Sequence, residues 1–342
     1  MIQPTAIDLF SGCGGLTLGL KQAGYNVRAA VELDDLAAET YALNHPETHL
    51  LRSDIRKVVP AKIMCDLAIA PYDLALLAAC APCQGFSRLS TRNRPALSTD
   101  ARNDLVLSVL PFAAALKPQS IMLENVPAAR DSVQMAKVRG ELRRLGYKFV
   151  EAVLDVADFG VPQRRKRYIL LGKLELEPSF SPKVRSQATV RSAIGKLPLP
   201  TESDDALHSI GTRMSDKIRE LVSRIPKDGG SRADLPPEFQ LACHARSDGF
   251  RDVYGRMSWD SPAPTITGGF VNPSKGRFLH PEQDRPISLR EGAILQGFGT
   301  RYKFSLRSGK YAVAKMIGNA VPPKFAMRQA TALLDRLDER II

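Results

Sequence analysis

Over its first 172 residues the chain alternates short apolar runs with amphipathic, Ala- and Leu-containing stretches, a pattern compatible with few folds. An α/β fold with a mostly parallel sheet covered by helices is expected. Strands are predicted at 6–10, 27–33, 74–80, 120–125 and 168–171, and helices at 16–23, 35–44, 103–116 and 133–145. In such sheets ligands bind beyond the carboxyl ends of the strands, so the residues after each run carry the functional expectations.

With 342 residues, 44% of them hydrophobic, the chain can form one large or two modest domains. No run reaches the roughly 18 apolar residues of a spanning helix, and the start lacks the order of a secretory signal, so a cytoplasmic protein is expected. The net charge of +12 suits a polyanionic partner. Basic and acidic residues number 21 and 17 in 1–172, 14 and 12 in 173–256, and 13 and 7 in 257–342. The near-neutral middle segment, punctuated by Pro, Ser, Asp and Gly, reads as a smaller domain. Five cysteines, an odd number in a chain able to bury a core, suggest reduced thiols.

The first run ends in Asp8-Leu-Phe-Ser-Gly-Cys-Gly-Gly-Leu16, a glycine-rich turn opening a helix. Missing side chains there let a ligand approach the backbone. The turn matches neither the dinucleotide nor the phosphate-loop pattern. Glu32, ending the second run, stands where a carboxylate can accept from ribose hydroxyls, and Asp54 can accept from an amino group such as that of adenine. The alternative is a structural turn with two solvated carboxylates.

Cys80-Ala-Pro-Cys83 follows the run at 74–80 and admits three readings: a redox pair, half of a zinc site, or a nucleophile at Cys83. Zinc would need two further ligands from Cys243, His244 or His280. As a nucleophile, Cys83 would gain thiolate character from Arg88, Arg92 and Arg94, leaving Cys13, Cys65 and Cys80 as small buried hydrophobes. Glu124, closing the run at 120–125, comes to the same sheet edge as a candidate general acid, with Asn125 beside it. Gln163, Arg165 and Arg167 lie in a cationic run that suits phosphate or another anion.

In this order the segments resemble those of the DNA cytosine-5 methyltransferase family across nearly the whole chain outside about 175–250. They are Asp8 to Gly15, Val31-Glu32, Asp54-Ile55, Pro82-Cys83-Gln84 with Phe86-Ser87, Glu124-Asn125-Val126, and Gln163 with Arg165 and Arg167. Arg290-Glu291 to Gln296-Gly-Phe298 and Gly318-Asn-Ala-Val-Pro-Pro323 follow. The resemblance implies a Rossmann-like methyltransferase sheet with helices on both faces, a smaller target-recognition domain, and S-adenosyl-L-methionine as cofactor. Phe10, Ser11, Gly12, Gly14, Gly15, Leu16, Glu32, Asp54, Ile55, Pro82, Asn319 and Val321 would hold that cofactor. Cys83 would add to carbon 6 of a flipped cytosine, Glu124 would serve ring nitrogen 3, and Arg165 would hold the base and help orient the carboxyl and the thiol. Gln84, Ser87 and Arg88 would lie on a closing loop, with Arg167 about the substrate and Asn125 and Gln163 beside it supporting the site's geometry. Two departures stand out: Cys80-Ala81 replaces a glycine or glycine-proline pair, and Gly299 replaces a common proline.

Domains are expected at 1–174, catalytic; at 175–284, target recognition with its variable part at 175–255; and at 285–342, returning to the catalytic domain. His244, Arg246, Arg251, Tyr254, Arg256 and Asn272 can read base edges, or else be solvated residues and phosphate contacts; Thr265 sits in a turn suited to DNA backbone or to supporting the catalytic loop. The implied partner is double-stranded DNA, with no membrane and no metal, for a monomer paired with a cognate restriction endonuclease. The same chemistry on transfer RNA, and a silent DNA-binding regulator, are the alternatives.

Overall fold

The computed structural model describes residues 3–82, 101–239 and 252–334. Cys83, Gln84, Ser87, Arg88, Cys243, His244, Arg246 and Arg251 lie outside them. By packing, the chain divides into two compact units, Met1–Phe159 with Lys166–Lys183 and Val321–Ile342, and Gly160–Arg165 with Val184–Ala320. The expected boundaries differ: 285–320 packs with the second unit, and the return begins at Val321.

The first unit is built on a seven-stranded sheet of order β3-β2-β1-β4-β5-β7-β6. Its strands are β1 Thr5–Leu9, β2 Asn26–Glu32, β3 His49–Arg52, β4 Leu76–Ala79, β5 Ser120–Asn125, β6 Tyr147–Asp155 and β7 Lys166–Leu174. The first five pair in parallel, and β7 runs antiparallel between β5 and β6. Strand order reverses at β1, which lies between β2 and β4, so the crevice beyond β1 and β4 is the switch point where ligands bind in such sheets.

Helices cover both faces because the strands alternate. Ile7 and Leu9 of β1 share a core with Ile63, Phe112 and Val138 from α3 (Pro60–Leu67), α4 (Val109–Leu116) and α5 (Val133–Arg144). The intervening Asp8 instead bonds Thr17 of α1 (Gly15–Gln22), which in turn bonds Tyr41 of α2 (Asp35–Asn44). The helix expected at 103–116 is α-helical only from Val109, preceded by a 3-10 stretch over Ala101–Ser108. Pro111 explains the break: its ring is tolerated only in a first helical turn. Cys65, expected to be buried, is exposed on α3.

The C-terminal helix Pro323–Leu334 packs on α1. Gly19 makes this possible: a Cβ there would lie 2.4 Å from the Pro323 carbonyl oxygen and 2.6 Å from Ala326 Cβ. Tyr25 Oη donates to the Ala330 carbonyl, and Phe159 meets Phe325 edge-on at 5.3 Å.

The second unit is organised around buried polar side chains. Arg256 is fully buried, donating to the carbonyls of Val222, Ile225, His280 and Gln283 and pairing with Asp284. The expected DNA contact at Arg256 is therefore corrected: this guanidinium has its partners inside the unit. Arg290 and Glu291 are likewise internal, the first bonded to Asp205 and the Tyr302 carbonyl, the second held by both nitrogens of Arg285 and capping its own helix through Ser288. Among the described residues no helix is long and apolar enough to cross a membrane.

Candidate active site

The glycine turn after β1 is shaped by left-handed backbone at Phe10, Gly12 and Gly14, with φ of 61°, 56° and 92°. No atom lies within 4 Å of where a Gly12 Cβ would stand, and no side chain caps the N-terminus of α1. The turn is pinned from two sides. Glu32 accepts from the Gly12 amide at 2.7 Å and from the amides of Leu33 and Asp34, while His45 Nε2 lies 3.3 Å from the Gly14 carbonyl. Burial, with Lys21 at its other nitrogen, lowers the His45 pKa to about 4, keeping the ring neutral.

Below the turn, Asp8 is fully buried. Its Oδ2 accepts from Thr17 at 2.7 Å, and its Oδ1 has no hydrogen-bond partner. Burial, reinforced by nearby Glu32, pushes this carboxyl up to about 7. Burial raises Cys13 to about 12, leaving an inert thiol as expected. Asp54 caps the turn Ile55–Lys57 and is gripped by Arg56, whose hydrogen bonds hold the carboxyl down at about 2. Ser11, Leu16 and Ile55 are buried, whereas Pro82 is exposed. Leu33, expected as the last residue of a strand, follows the end of β2 and is 65% exposed.

Glu124, near the end of β5, is only 4% exposed, and both its oxygens are engaged. Arg167 Nε lies 2.9 Å from Oε1, and the Cys80 thiol donates to Oε2 at 2.7 Å. Cys80, expected to be an inert strand residue, follows the end of β4 and takes part in the site. Asn125 donates to the Ala81 carbonyl at 3.3 Å and accepts from the Val126 amide.

Arg165 belongs to the second unit, where it donates to the carbonyls of Ile266 at 2.9 Å and Gly318 at 2.8 Å. The arginine on Glu124 is Arg167, a correction to the role expected for Arg165. Gln163 is fully buried, its amide bonded to Leu295, Gln296 and Ile266, so it braces the second unit and is not offered to DNA. The Thr265 hydroxyl donates to the Arg164 carbonyl. Gly318 passes so close to Thr267 that a Cβ would lie 2.4 Å from its carbonyl carbon. Asn319 ends the helix Gly309–Asn319 in the second unit, and buried Val321 begins the return to the first. Among the described residues no three His, Cys, Asp or Glu side chains gather as a metal would need.

A glycine turn at the switch point, with a buried acid two strands away at the same edge of the sheet, is the layout of an α/β enzyme's ligand site. The family model for C-5 cytosine-specific DNA methylases matches residues 5–335. The Type II methylase M.HgiDII of Herpetosiphon aurantiacus is 34% identical over 338 residues, covering 92% of this chain and 91% of its own. The Type II methyltransferase M1.HphI of Haemophilus parahaemolyticus is 31% identical, with 96% and 86% covered. A crystal structure of a candidate DNA modification methyltransferase from an Escherichia coli prophage matches in fold, with a TM-score of 0.75, 24% identity and 98% and 99% of the chains covered. The chain belongs to the C-5 cytosine-specific DNA methylase family and is a DNA cytosine-5 methyltransferase.

Proposed function

We propose that the enzyme transfers the methyl group of S-adenosyl-L-methionine to carbon 5 of a cytosine flipped from a short duplex DNA site, acting as a monomer and as the modification half of a restriction pair. The observation that carries the reading is the doubly held carboxyl of Glu124 at the carboxyl edge of the sheet that bears the glycine turn.

The crevice fits the cofactor. The open space at Gly12 and the uncapped N-terminus of α1 suit an amino-acid carboxylate, Glu32 keeps one acceptor position, on Oε2, for a ribose hydroxyl, and exposed Leu33 offers an apolar surface to a purine. Asp54 would accept the purine amino group as Arg56 turns outward, with Phe10 and Pro82 along the crevice. When bound, the cofactor supplies an electrophilic methyl group.

Cytosine carbon 5 is a poor nucleophile, so the ring must first be activated. The Cys83 thiolate adds to carbon 6 while Glu124 gives a proton to ring nitrogen 3, turning the ring into an enamine whose carbon 5 is nucleophilic. After methylation, loss of the carbon 5 proton, expulsion of the thiolate and return of the nitrogen proton restore the aromatic ring. Arg167 holds the carboxyl throughout, and Asn125 ties β5 to the segment leading to Cys83. The base must leave the stack for any of this, at a cost of a few kcal/mol. Gln84, Ser87 and Arg88 serve the closing loop, and the second unit reads the target, with Arg246 and Thr265 among its DNA-facing residues.

Bisulfite sequencing of plasmid DNA from cells expressing the wild type or Cys83→Ala tests the reading. Protected cytosines in one short context, absent with the variant, are expected. Protection with neither protein overturns it in favour of RNA or a silent binder.

A further inference from the structure

We propose that Cys80 is a positioning residue for Glu124, its thiol fixing the rotation of the carboxyl that serves the base. This rests on the reading of Glu124 given above. β4 and β5 pair in parallel with Ala79 opposite Leu123, which sets Cys80 and Glu124 side by side one residue further along. The thiol donates to Oε2 at 2.7 Å, and Arg167 occupies Oε1 at 2.9 Å.

One donor is too few to orient a carboxyl. The terminal torsion of a glutamate is broad and twofold, so a partner on one oxygen anchors the group while leaving its plane free to turn. A second donor on the other oxygen removes that freedom, and the Cys80 thiol supplies it at the oxygen that Arg167 leaves open. The sheet edge supplies this donor through a side chain. A glycine at position 80, the residue the family resemblance leads one to expect there, has none. The departure thus adds a contact to the acid while each carboxyl oxygen keeps one position clear for the proton that goes to ring nitrogen 3.

The test is a double-mutant cycle on the purified full chain, with labelled-methyl transfer to DNA carrying the enzyme's site. Cys80→Ala and Cys80→Gly are expected to lower kcat roughly tenfold with KM for DNA nearly unchanged, the size of one hydrogen bond to a charged group. Cys80→Ser, which keeps a donor, is expected to recover most of the loss. In a Glu124→Gln background, single-turnover rates should show no further loss from Cys80→Ala. Wild-type kcat in the Ala or Gly variant, loss that serine does not recover, or a full additive loss with Glu124→Gln each overturns the proposal. If Glu124→Gln itself turns over at the wild-type rate, the reading of Glu124 fails. If Glu124→Gln is dead and the Cys80 variants are unaffected, only the role of Cys80 falls.

Discussion

Arg167 forms an ion pair with Glu124 across two antiparallel strands, with 14% and 4% of the two side chains exposed. In the register of β5 on β7, Glu124 stands opposite Ile169, which puts Arg167 on the same face as its diagonal neighbour, within reach of a long side chain. Arg167→Leu leaves the carboxyl without its cation. A drop in kcat of at least a hundredfold is expected, together with a destabilisation of about 3 kcal/mol. Methyl-transfer kinetics and urea unfolding check the two effects, and a variant as active as the wild type would remove Arg167 from the site.

Arg165→Leu should behave differently. It leaves two buried carbonyls without donors, each worth about 1–3 kcal/mol, so a lowered Tm is the primary effect. Calorimetry of both arginine variants separates the roles: the Arg165 variant should lose more heat stability than catalysis, and the Arg167 variant the reverse.

Arg256→Met is expected to cost about 3–5 kcal/mol, because four carbonyls and Asp284 lose a shared, fully buried donor. Where the variant remains folded, the salt dependence of DNA binding should keep its wild-type slope. A slope reduced by about one would instead mark a phosphate contact.

The pH dependence of stability has a component set by Asp8. Its folded pKa of about 7 lies above the ordinary 3.8, so between those values the folded protein holds a proton that the unfolded chain has lost. Stability contributed at low pH therefore declines as pH rises from about 4 to 7, by at most ~1.4 kcal/mol per unit. His45 acts in the opposite sense: its folded pKa of about 4 lies below 6.5, so its contribution is lost as pH falls through that window. Asp8→Asn should flatten the decline between pH 5 and 7 in urea unfolding. An unchanged profile would show that Asp8 is ionised in the fold.

Four of the five parallel strands were legible because strands buried on both faces read as apolar runs, whereas β3, a four-residue edge strand with exposed ends, was missed. β6 was missed: Tyr147–Asp155 is an edge strand whose residues are mostly half-buried, so its run is broken by Lys148, Glu151 and Asp155. The glycine turn and the acid at the end of β5 stood out because their residue types are rare in those places. Arg165 and Arg167 could not be told apart, since a spacing of two puts both on one side of an extended chain; only the start of β7 at Lys166 leaves Arg165 outside the sheet. Arg256 was misread for a related reason. An arginine in a polar stretch reads as solvated, and nothing local announces carbonyls contributed from about 30 residues away in either direction.

The absence of a side chain at Gly19 has a consequence for how the enzyme is made. Helix α1, which opens at the glycine turn, is backed by residues 323–334, the last described part of the chain to leave the ribosome. At translation speeds of about 5–20 residues per second, that groove stays open for tens of seconds after α1 emerges. A nascent methylase would therefore be incomplete until residues 323–334 have emerged, and a chain stopped short of Pro323 would present the bare groove to chaperones and proteases.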